Sequence, residues 1–286
     1  MWKSAWAGLL AWGGVGATAQ VLFDPALGPT AGDQGWTVFA PPPVVATINP
    51  EGFFLDTRPA GTPGQAGLLR ETPTPLNAAE GFVLSWILRV TDEDHRSGDR
   101  AGVSVIVLGD DRRGIELGFW ADRVWAQSDL PLFTHAEETV WDTSRAAVRY
   151  ALTVVGSTYS LSADGAPVLS GPLRNYTAFE GFPDVYEIPN FLFLGDDTTS
   201  ASGAMTLGRI ELSPIPAPAL TVHPVADGTL ELAWAETVPP WSPEETGGSL
   251  QGSDWQPVNG IPSTAGGVNR LQFAPSADAR YFRLRR

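Results

Sequence analysis

The chain has 286 residues, of which 18 are basic and 32 acidic, and a formal net charge of −14. An acidic surface repels phosphate backbones and anionic headgroups, which argues against nucleic acid and lipid surfaces as partners. There is no cysteine, so thiol catalysis and thiolate metal sites are excluded, and His95, His135 and His223 are too scattered for a histidine metal site.

In chain order, the first element is a leader. Met1-Trp2-Lys3 supplies a positive start, residues 5–15 are apolar, and Ala17-Thr18-Ala19 is a small-x-small site ahead of Gln20. That order predicts a secretory signal peptide over 1–19, cleaved after Ala19. The apolar run is shorter than the ~20 residues a bilayer span needs and is broken by glycine. The expected location is therefore secreted or cell-surface, with no membrane insertion. Lys3 is the only lysine, so its removal leaves arginine as the one strongly basic side chain and the chain one unit more acidic.

Glycine and proline, 31 and 25 residues, recur between short apolar runs, which is the spacing of an all-β sandwich or barrel. Strands are predicted over 36–39, 53–56, 82–91, 103–108, 115–120, 123–128, 147–155, 158–163, 191–194 and 205–212. Phe82, Leu84, Trp86, Leu88 and Val90 share one side of their strand, and Val83, Ser85, Ile87 and Arg89 the other. Asp164-Gly165 is a hairpin turn signal. So many strands within 20–213 imply two stacked sheets. The proline-spaced stretch 214–219 reads as an extended connector. Runs over 220–223, 229–234, 255–258, 270–273 and 280–285 predict a small immunoglobulin- or fibronectin-like sandwich over 220–286. Its expected core is Trp234, Trp255, Phe273 and Phe282.

The segment 114–127 carries the candidate site. With Ala121-Asp122 as a two-residue turn, Glu116 faces Gln127, Gly118 faces Trp125 and Trp120 faces Arg123. Alternation puts Ile115, Leu117, Phe119, Val124 and Ala126 on one apolar face. The other face carries Glu116, Trp120, Arg123, Trp125 and Gln127, with Gly118 leaving a gap for the indole of Trp125. Indole rings beside hydrogen-bonding groups suit a sugar ring, whose C–H face stacks while its hydroxyls pair. For this face the structural reading is favoured over the ligand one, since tryptophan is commonly buried in sandwiches. A second candidate is Asp196-Asp197 at a strand end, followed by Thr198-Thr199-Ser200. Its oxygens have the chemistry to hold Ca²⁺, which takes about six to eight such ligands.

Glycoside cleavage needs two carboxyl groups about 5–9.5 Å apart, which an acid-x-acid pair on one strand supplies. Glu116 has Gly118 at i+2 and Gln127 across the hairpin, so no second carboxylate stands beside it in sequence. Neither a Gly-x-Ser-x-Gly elbow nor a His-Glu-x-x-His helix occurs.

Residues 20–213 resemble the concanavalin A-like lectin/glucanase superfamily in its laminin G-like form. The resemblance rests on Arg100-Ala101-Gly102-Val103-Ser104-Val105-Ile106-Val107, on 114–127, on 190–201, and on Ser160-Leu161-Ser162-Ala163-Asp164-Gly165. It implies a jelly roll of two curved antiparallel sheets in an exported bacterial protein. Members of the superfamily bind carbohydrate, bind protein or cleave glycans, so the fold leaves function open. The Glu-x-Asp-x-Glu strand motif of its glucanases is absent. The C-terminal region is similar to a short module of secreted proteins of planctomycete- and verrucomicrobia-like bacteria, on Leu230-Glu231-Leu232-Ala233-Trp234, Trp255-Gln256-Pro257-Val258 and Tyr281-Phe282-Arg283-Leu284-Arg285. The leading expectation is a non-catalytic recognition module for a polysaccharide or cell-surface glycan. Its competitors are a structural or adhesion protein tethered by its C-terminal domain, and a glycan-cleaving hydrolase or lyase.

Overall fold

The computed structural model describes residues 19–60, 65–215, 217–237, 240–247, 254–276 and 280–285, so the predicted leader lies outside the described residues but for Ala19. The chain divides into a large unit, Thr18–Ile215, and a small unit that takes Pro216–Arg286. Among the described residues the only helices are two three-residue 3-10 turns, and no helix is long and apolar enough to cross a membrane.

The large unit opens with strands β1 (Gln20–Phe23), β2 (Thr37–Phe39), β3 (Val45–Asn49), β4 (Gly52–Asp56), β5 (Ala66–Glu71), β6 (Phe82–His95) and β7 (Ser104–Leu108). It continues with β8 (Gly114–Phe119), β9 (Arg123–Asp129), β10 (Leu132–Val140), β11 (Val148–Val155), β12 (Thr158–Ala163), β13 (Ala166–Pro172), β14 (Phe191–Asp196) and β15 (Ala201–Pro214). One antiparallel sheet runs β13-β12-β11-β6-β15-β4-β3, with β1 paired to β15 as its eighth strand. The other, of seven strands, runs β10-β9-β8-β7-β14-β5-β2. The result is the all-β, two-sheet jelly-roll-type sandwich.

Every strand expected in this unit is present. The structure adds β1, β3, β5, β10 and β13, where alternation gives little signal. β10 is largely polar and changes register twice against β9, and β13 contains Pro167 and Pro172. Between the sheets, Phe82, Leu84, Trp86, Leu88 and Val90 of β6 face Val105 and Val107 of β7, Ile115, Leu117 and Phe119 of β8, and Leu192 and Leu194 of β14. Trp86 stacks on Tyr150 at 5.8 Å and meets Phe119 edge-on at 6.4 Å. Leu207 and Ile210 of β15 are both buried although three residues apart, because the ladder to β6 shifts register between them.

The β8–β9 hairpin has the expected register, with Leu117 opposite Ala126, Gly118 opposite Trp125 and Phe119 opposite Val124. The Trp120 amide donates to the Arg123 carbonyl at 3.0 Å across the Ala121-Asp122 turn. The Trp125 ring lies on Gly118 so closely that a Cβ there would sit 1.4 Å from Cζ3 of the indole.

The small unit contains β16 (Thr221–Pro224), β17 (Leu230–Ala235), β18 (Ser242–Gly247), β19 (Gln256–Pro257), β20 (Ser263–Ala265), β21 (Val268–Phe273) and β22 (Arg280–Arg285). They form the sheets β16-β17-β21-β20 and β19-β18-β22, closed over Leu232, Trp234, Val258, Leu271 and Phe282. Phe273 is half-buried against this cluster, but Trp255 does not belong to it. Its ring is instead covered by the Arg283 guanidinium at 4.3 Å. β18 is legible only by its partners, since Glu244 pairs with Arg283 at 2.6 Å and Glu245 with Arg280 at 3.0 Å across the β18–β22 ladder.

Gly118→Ala forces an indole and a methyl into one volume, and overpacking of this kind costs about 1–3 kcal/mol. Urea unfolding should show that loss, whereas Gly98→Ala, with nothing within 4 Å of the added carbon, should leave the midpoint unchanged. Equal midpoints for the two variants would contradict the packing described.

Candidate functional site

The seven-stranded sheet is covered on both faces. Alternation sends Val105, Leu117, Ala126 and Leu194 inward, so Leu69, Phe193, Ile106 and Glu116 form a row on the outer face, each opposite the next across the ladder. Over this row lie Phe133 at the start of β10 and the segment 173–190, which contributes Tyr176, Phe179, Val185, Tyr186 and Ile188. The rings interlock: Phe133 stacks on Tyr176 at 6.0 Å, and Tyr186 lies 5.3–5.5 Å from Tyr176, Phe133 and Phe179. Phe133 holds a left-handed backbone, φ 57°, a conformation that costs a non-glycine residue about 1–3 kcal/mol and persists only where its surroundings fix it.

Glu116 is the one carboxylate set into this layer, and it is 0% exposed. The Tyr186 hydroxyl donates to its Oε2 at 2.5 Å, and Nη1 of Arg100 lies 3.8 Å from its Oε1. Its backbone amide donates to the Tyr176 hydroxyl at 3.2 Å, which in turn donates to the Gln127 carbonyl at 2.8 Å. The carboxyl of Asp197, from the loop after β14, is near enough for its charge to act on Glu116. Burial first, then the charge of Asp197, pushes the Glu116 carboxyl well above its ordinary range, against the opposing pull of Tyr186 and Arg100. Burial likewise drives the hydroxyls of Tyr176 and Tyr186 well above theirs.

In front of these groups is a cavity of about 390 Å³. Its lining combines phenyl rings, from Phe39, Phe133, Phe179, Phe182 and Phe193, with the polar groups of Arg100, Tyr186, Asp197, Thr198 and Ser200. The Arg100 guanidinium lies over the Phe133 ring at 4.3 Å. Phe182 at the mouth is 96% exposed.

The five hairpin residues expected to meet a ligand form the layer behind this cavity. Glu116, Trp125 and Gln127 are each at most 1% exposed, and Trp120 and Arg123 are half-buried. The expectation of an open indole platform is therefore corrected. β10 extends the sheet past β9 and brings His135 against Trp125, whose Nε1 donates to its imidazole. Their reach to the cavity is indirect. Trp120 Nε1 donates to the Arg100 carbonyl at 2.8 Å and Gln127 Nε2 to the Asp99 carbonyl at 2.9 Å, so both fix the segment that carries Arg100. Arg123 lies over Trp120 at 5.3 Å, and His95 stacks on it at 3.8 Å.

Asp196 and Asp197 do not converge as a cation pair, because neighbours on a strand point to opposite faces. Asp196 turns inward and accepts from the Thr57 hydroxyl at 2.6 Å and the Thr198 amide at 3.1 Å, while Asp197 lines the cavity on the other face. Among the described residues no group of three or more His, Cys, Asp or Glu has the geometry to hold a metal ion. Asp197 also supplies the second carboxyl that the hairpin lacks. Sequence reasoning misses Arg100, Phe133, Phe182 and Tyr186. The one signal for the last two is a strandless stretch, 176–186, dense in aromatic residues that need cover.

No family model matches the chain, and no curated protein matches it. Among solved structures it is similar to the Crh5 transglycosylase in its apo form, at 14% identity and a TM-score of 0.47, covering 73% of this chain and 89% of that one. It is similar also to the metal-free carbohydrate recognition domain of Emp46p, at 10% identity and a TM-score of 0.41, covering 68% and 95%. A sialidase is matched at 12% identity and a TM-score of 0.43 over 67% of this chain, which spans 18% of that protein's length.

Burial pushes the Asp196 carboxyl from its ordinary 3.8 up to about 8. The native state thus keeps a proton that the unfolded chain releases, so this group's stabilisation is complete below about pH 4 and is lost as pH rises toward 8, at up to about 1.4 kcal/mol per pH unit. Asp196→Asn removes the titration but keeps the shape. Its thermal midpoint should gain on the wild type steadily from pH 4 to pH 8. Parallel curves across that range would refute the buried, proton-holding carboxyl.

Proposed function

We propose that this protein is an exported recognition module that binds carbohydrate, without cleaving it, in the cavity outside the seven-stranded sheet. The observation that carries this reading is a cavity lining that combines five phenyl rings with a guanidinium, a carboxyl and side-chain hydroxyls. A sugar ring needs both: its C–H face packs on aromatic rings, and its hydroxyls pair with such polar groups. Ligand pockets commonly combine an apolar lining with a few placed polar groups, in volumes of about 300–1,000 Å³. At about 390 Å³ the cavity suits a small unit, such as the end of a glycan, better than a long chain segment. Glu116, Trp120 and Gln127 act one layer back in this proposal, holding Tyr186, Asp197 and the segment of Arg100 in place.

Binding is favoured over cleavage by the complete burial of Glu116, which keeps its carboxyl from a ligand. Glycosidases hold their two carboxyls about 5–9.5 Å apart so that a glycosidic oxygen, or a water, fits between. Here Glu116 is wholly buried, and of the two lining aspartates Asp196 is held by Thr57 and Thr198, which leaves Asp197. The leader over 1–19 supports export.

Calorimetry against a panel of polysaccharides tests the reading. Phe182→Ala removes an exposed ring without touching the core, and Arg100→Ala removes the polar anchor. Each should weaken binding by about tenfold or more, equivalent to about 1.4 kcal/mol, with the thermal midpoint of the Phe182 variant unchanged. A glycan whose affinity ignores both substitutions binds elsewhere, and that result would end the proposal for this cavity.

A further inference from the structure

We infer that the sugar unit this cavity takes carries a methyl group where a common hexose carries a hydroxyl, as a 6-deoxy or an O-methylated sugar does. The inference rests on the carbohydrate reading and narrows its ligand class.

The ladder between β5 and β14 lays out the floor of the cavity. Leu69 stands opposite Phe193 and Gly67 opposite Gly195, and beyond them Gln65 donates from Nε2 to the Asp197 carbonyl at 2.7 Å. Leu69, Phe193, Gln65 and Asp197 all line the cavity. Leu69 and Gln65 are four residues apart, roughly 13 Å of extended strand, so the floor passes from an apolar end to a polar one. The glycines raise no side chain between the two ends. The Phe193 ring lies over Gly67, where an added Cβ would come within 2.7 Å of its Cε2, and Phe39 stands opposite Gly67 on β2.

At the apolar end Leu69, Ile106, Phe179, Val185 and Phe193 pack into one hydrophobic cluster and line the cavity together. None of these side chains has a donor or an acceptor. Tyr186 lines the cavity from the same cluster, but its hydroxyl is committed to Glu116 at 2.5 Å. Arg100 lies near Glu116, with Nη1 3.8 Å from Oε1. Glu116 is itself three strands along its row from Leu69, roughly 14 Å at the usual spacing. The polar end is different, since Asp197, Thr199 and Ser200 bring a carboxyl and hydroxyls to the cavity from one loop.

A common hexose has a hydroxyl on nearly every carbon. With its ring hydroxyls at Asp197 and Ser200, it carries a further hydroxyl into the apolar end, where that group loses water and gains no partner. A methyl group gives up no hydrogen bond there, and its burial against Leu69 and Phe193 is favourable. The floor thus fits a unit that is polar around most of its ring and apolar at one position. Apolar pockets separate such isosteres by only about 10- to 100-fold, so the preference is graded.

Calorimetry on the full-length protein with matched pairs tests this: L-fucose against L-galactose, L-rhamnose against L-mannose, and 6-O-methyl-D-galactose against D-galactose. In any pair that binds, the methyl-bearing member should be the tighter by about tenfold or more. Leu69→Thr places a hydroxyl at the apolar end and should narrow that gap, whereas Ser200→Ala should weaken both members and keep it. A hydroxylated member that binds as tightly as its partner, and is weakened by Phe182→Ala, overturns the methyl preference and leaves the carbohydrate reading standing. Silence from every pair and from the polysaccharides overturns the carbohydrate reading itself. A gap undiminished in Leu69→Thr, with its thermal midpoint near the wild type, overturns the placement of the methyl group. The wild-type gap alone decides the preference, whether or not that variant folds.

Discussion

The hydroxyl of Tyr186 bonded to the carboxyl of Glu116 joins two things that sequence keeps 70 residues apart, a central strand and the loop that covers it. A carboxyl placed on a strand that is buried on both faces loses water on every side, and the cost is tolerable only if other groups come to it. They come from three places: Arg100 ahead of β7, Tyr186 in the covering segment, and Asp197 after β14. The cavity is the space that remains in front of those three groups once they have converged. Three of the polar groups that line it, Arg100, Tyr186 and Asp197, are therefore the ones gathered about a buried acid.

Packing fixes the same parts from behind. Trp125 can lie flat because Gly118 has no side chain, and this leaves room for Trp120 beside it at 5.5 Å. Trp120 and Gln127 then use their N–H groups to hold residues 99 and 100. Phe133 completes the frame in a backbone conformation it would not adopt alone, pressed between Tyr176 and the Arg100 guanidinium. Arg100 is thus held by its carbonyl, by an aromatic face and by a carboxyl. Preorganisation of this kind lets a small cavity bind without ordering its own side chains first. The mouth is different: Phe182 stands almost wholly in solvent, where a ligand would be first met.

Much of the fold is legible in the chain because β-strands write their burial at a period of two. Phe82 to Val90 alternates cleanly and lies with one face in the core, and the hairpin about Ala121-Asp122 closes in the register its residues imply. The period fails where strands do not alternate. β10 escapes notice because it is polar and twice out of register, and it is the strand whose His135 covers Trp125. In the small unit the tryptophan expected inside, Trp255, is covered instead by an arginine from β22, a contact no local pattern encodes.

For the site, the chain marks Glu116, Trp120, Trp125 and Gln127 as one face, and they do share one. Local alternation decides that, since it depends only on neighbours two residues away. Whether the face meets solvent or protein depends on residues 10 to 81 positions distant, His135 from Trp125 at one end and Asp197 from Glu116 at the other, and on which side of its strand each lies. The sequence by itself therefore determined the strands, their two faces and the polar character of one of them. Only the tertiary structure decided that this face is an inner wall, that Asp196 and Asp197 part company, and that Arg100, Tyr186 and Asp197 line one cavity. Burial is a property of the whole fold, and no period in one strand records what will lie across it.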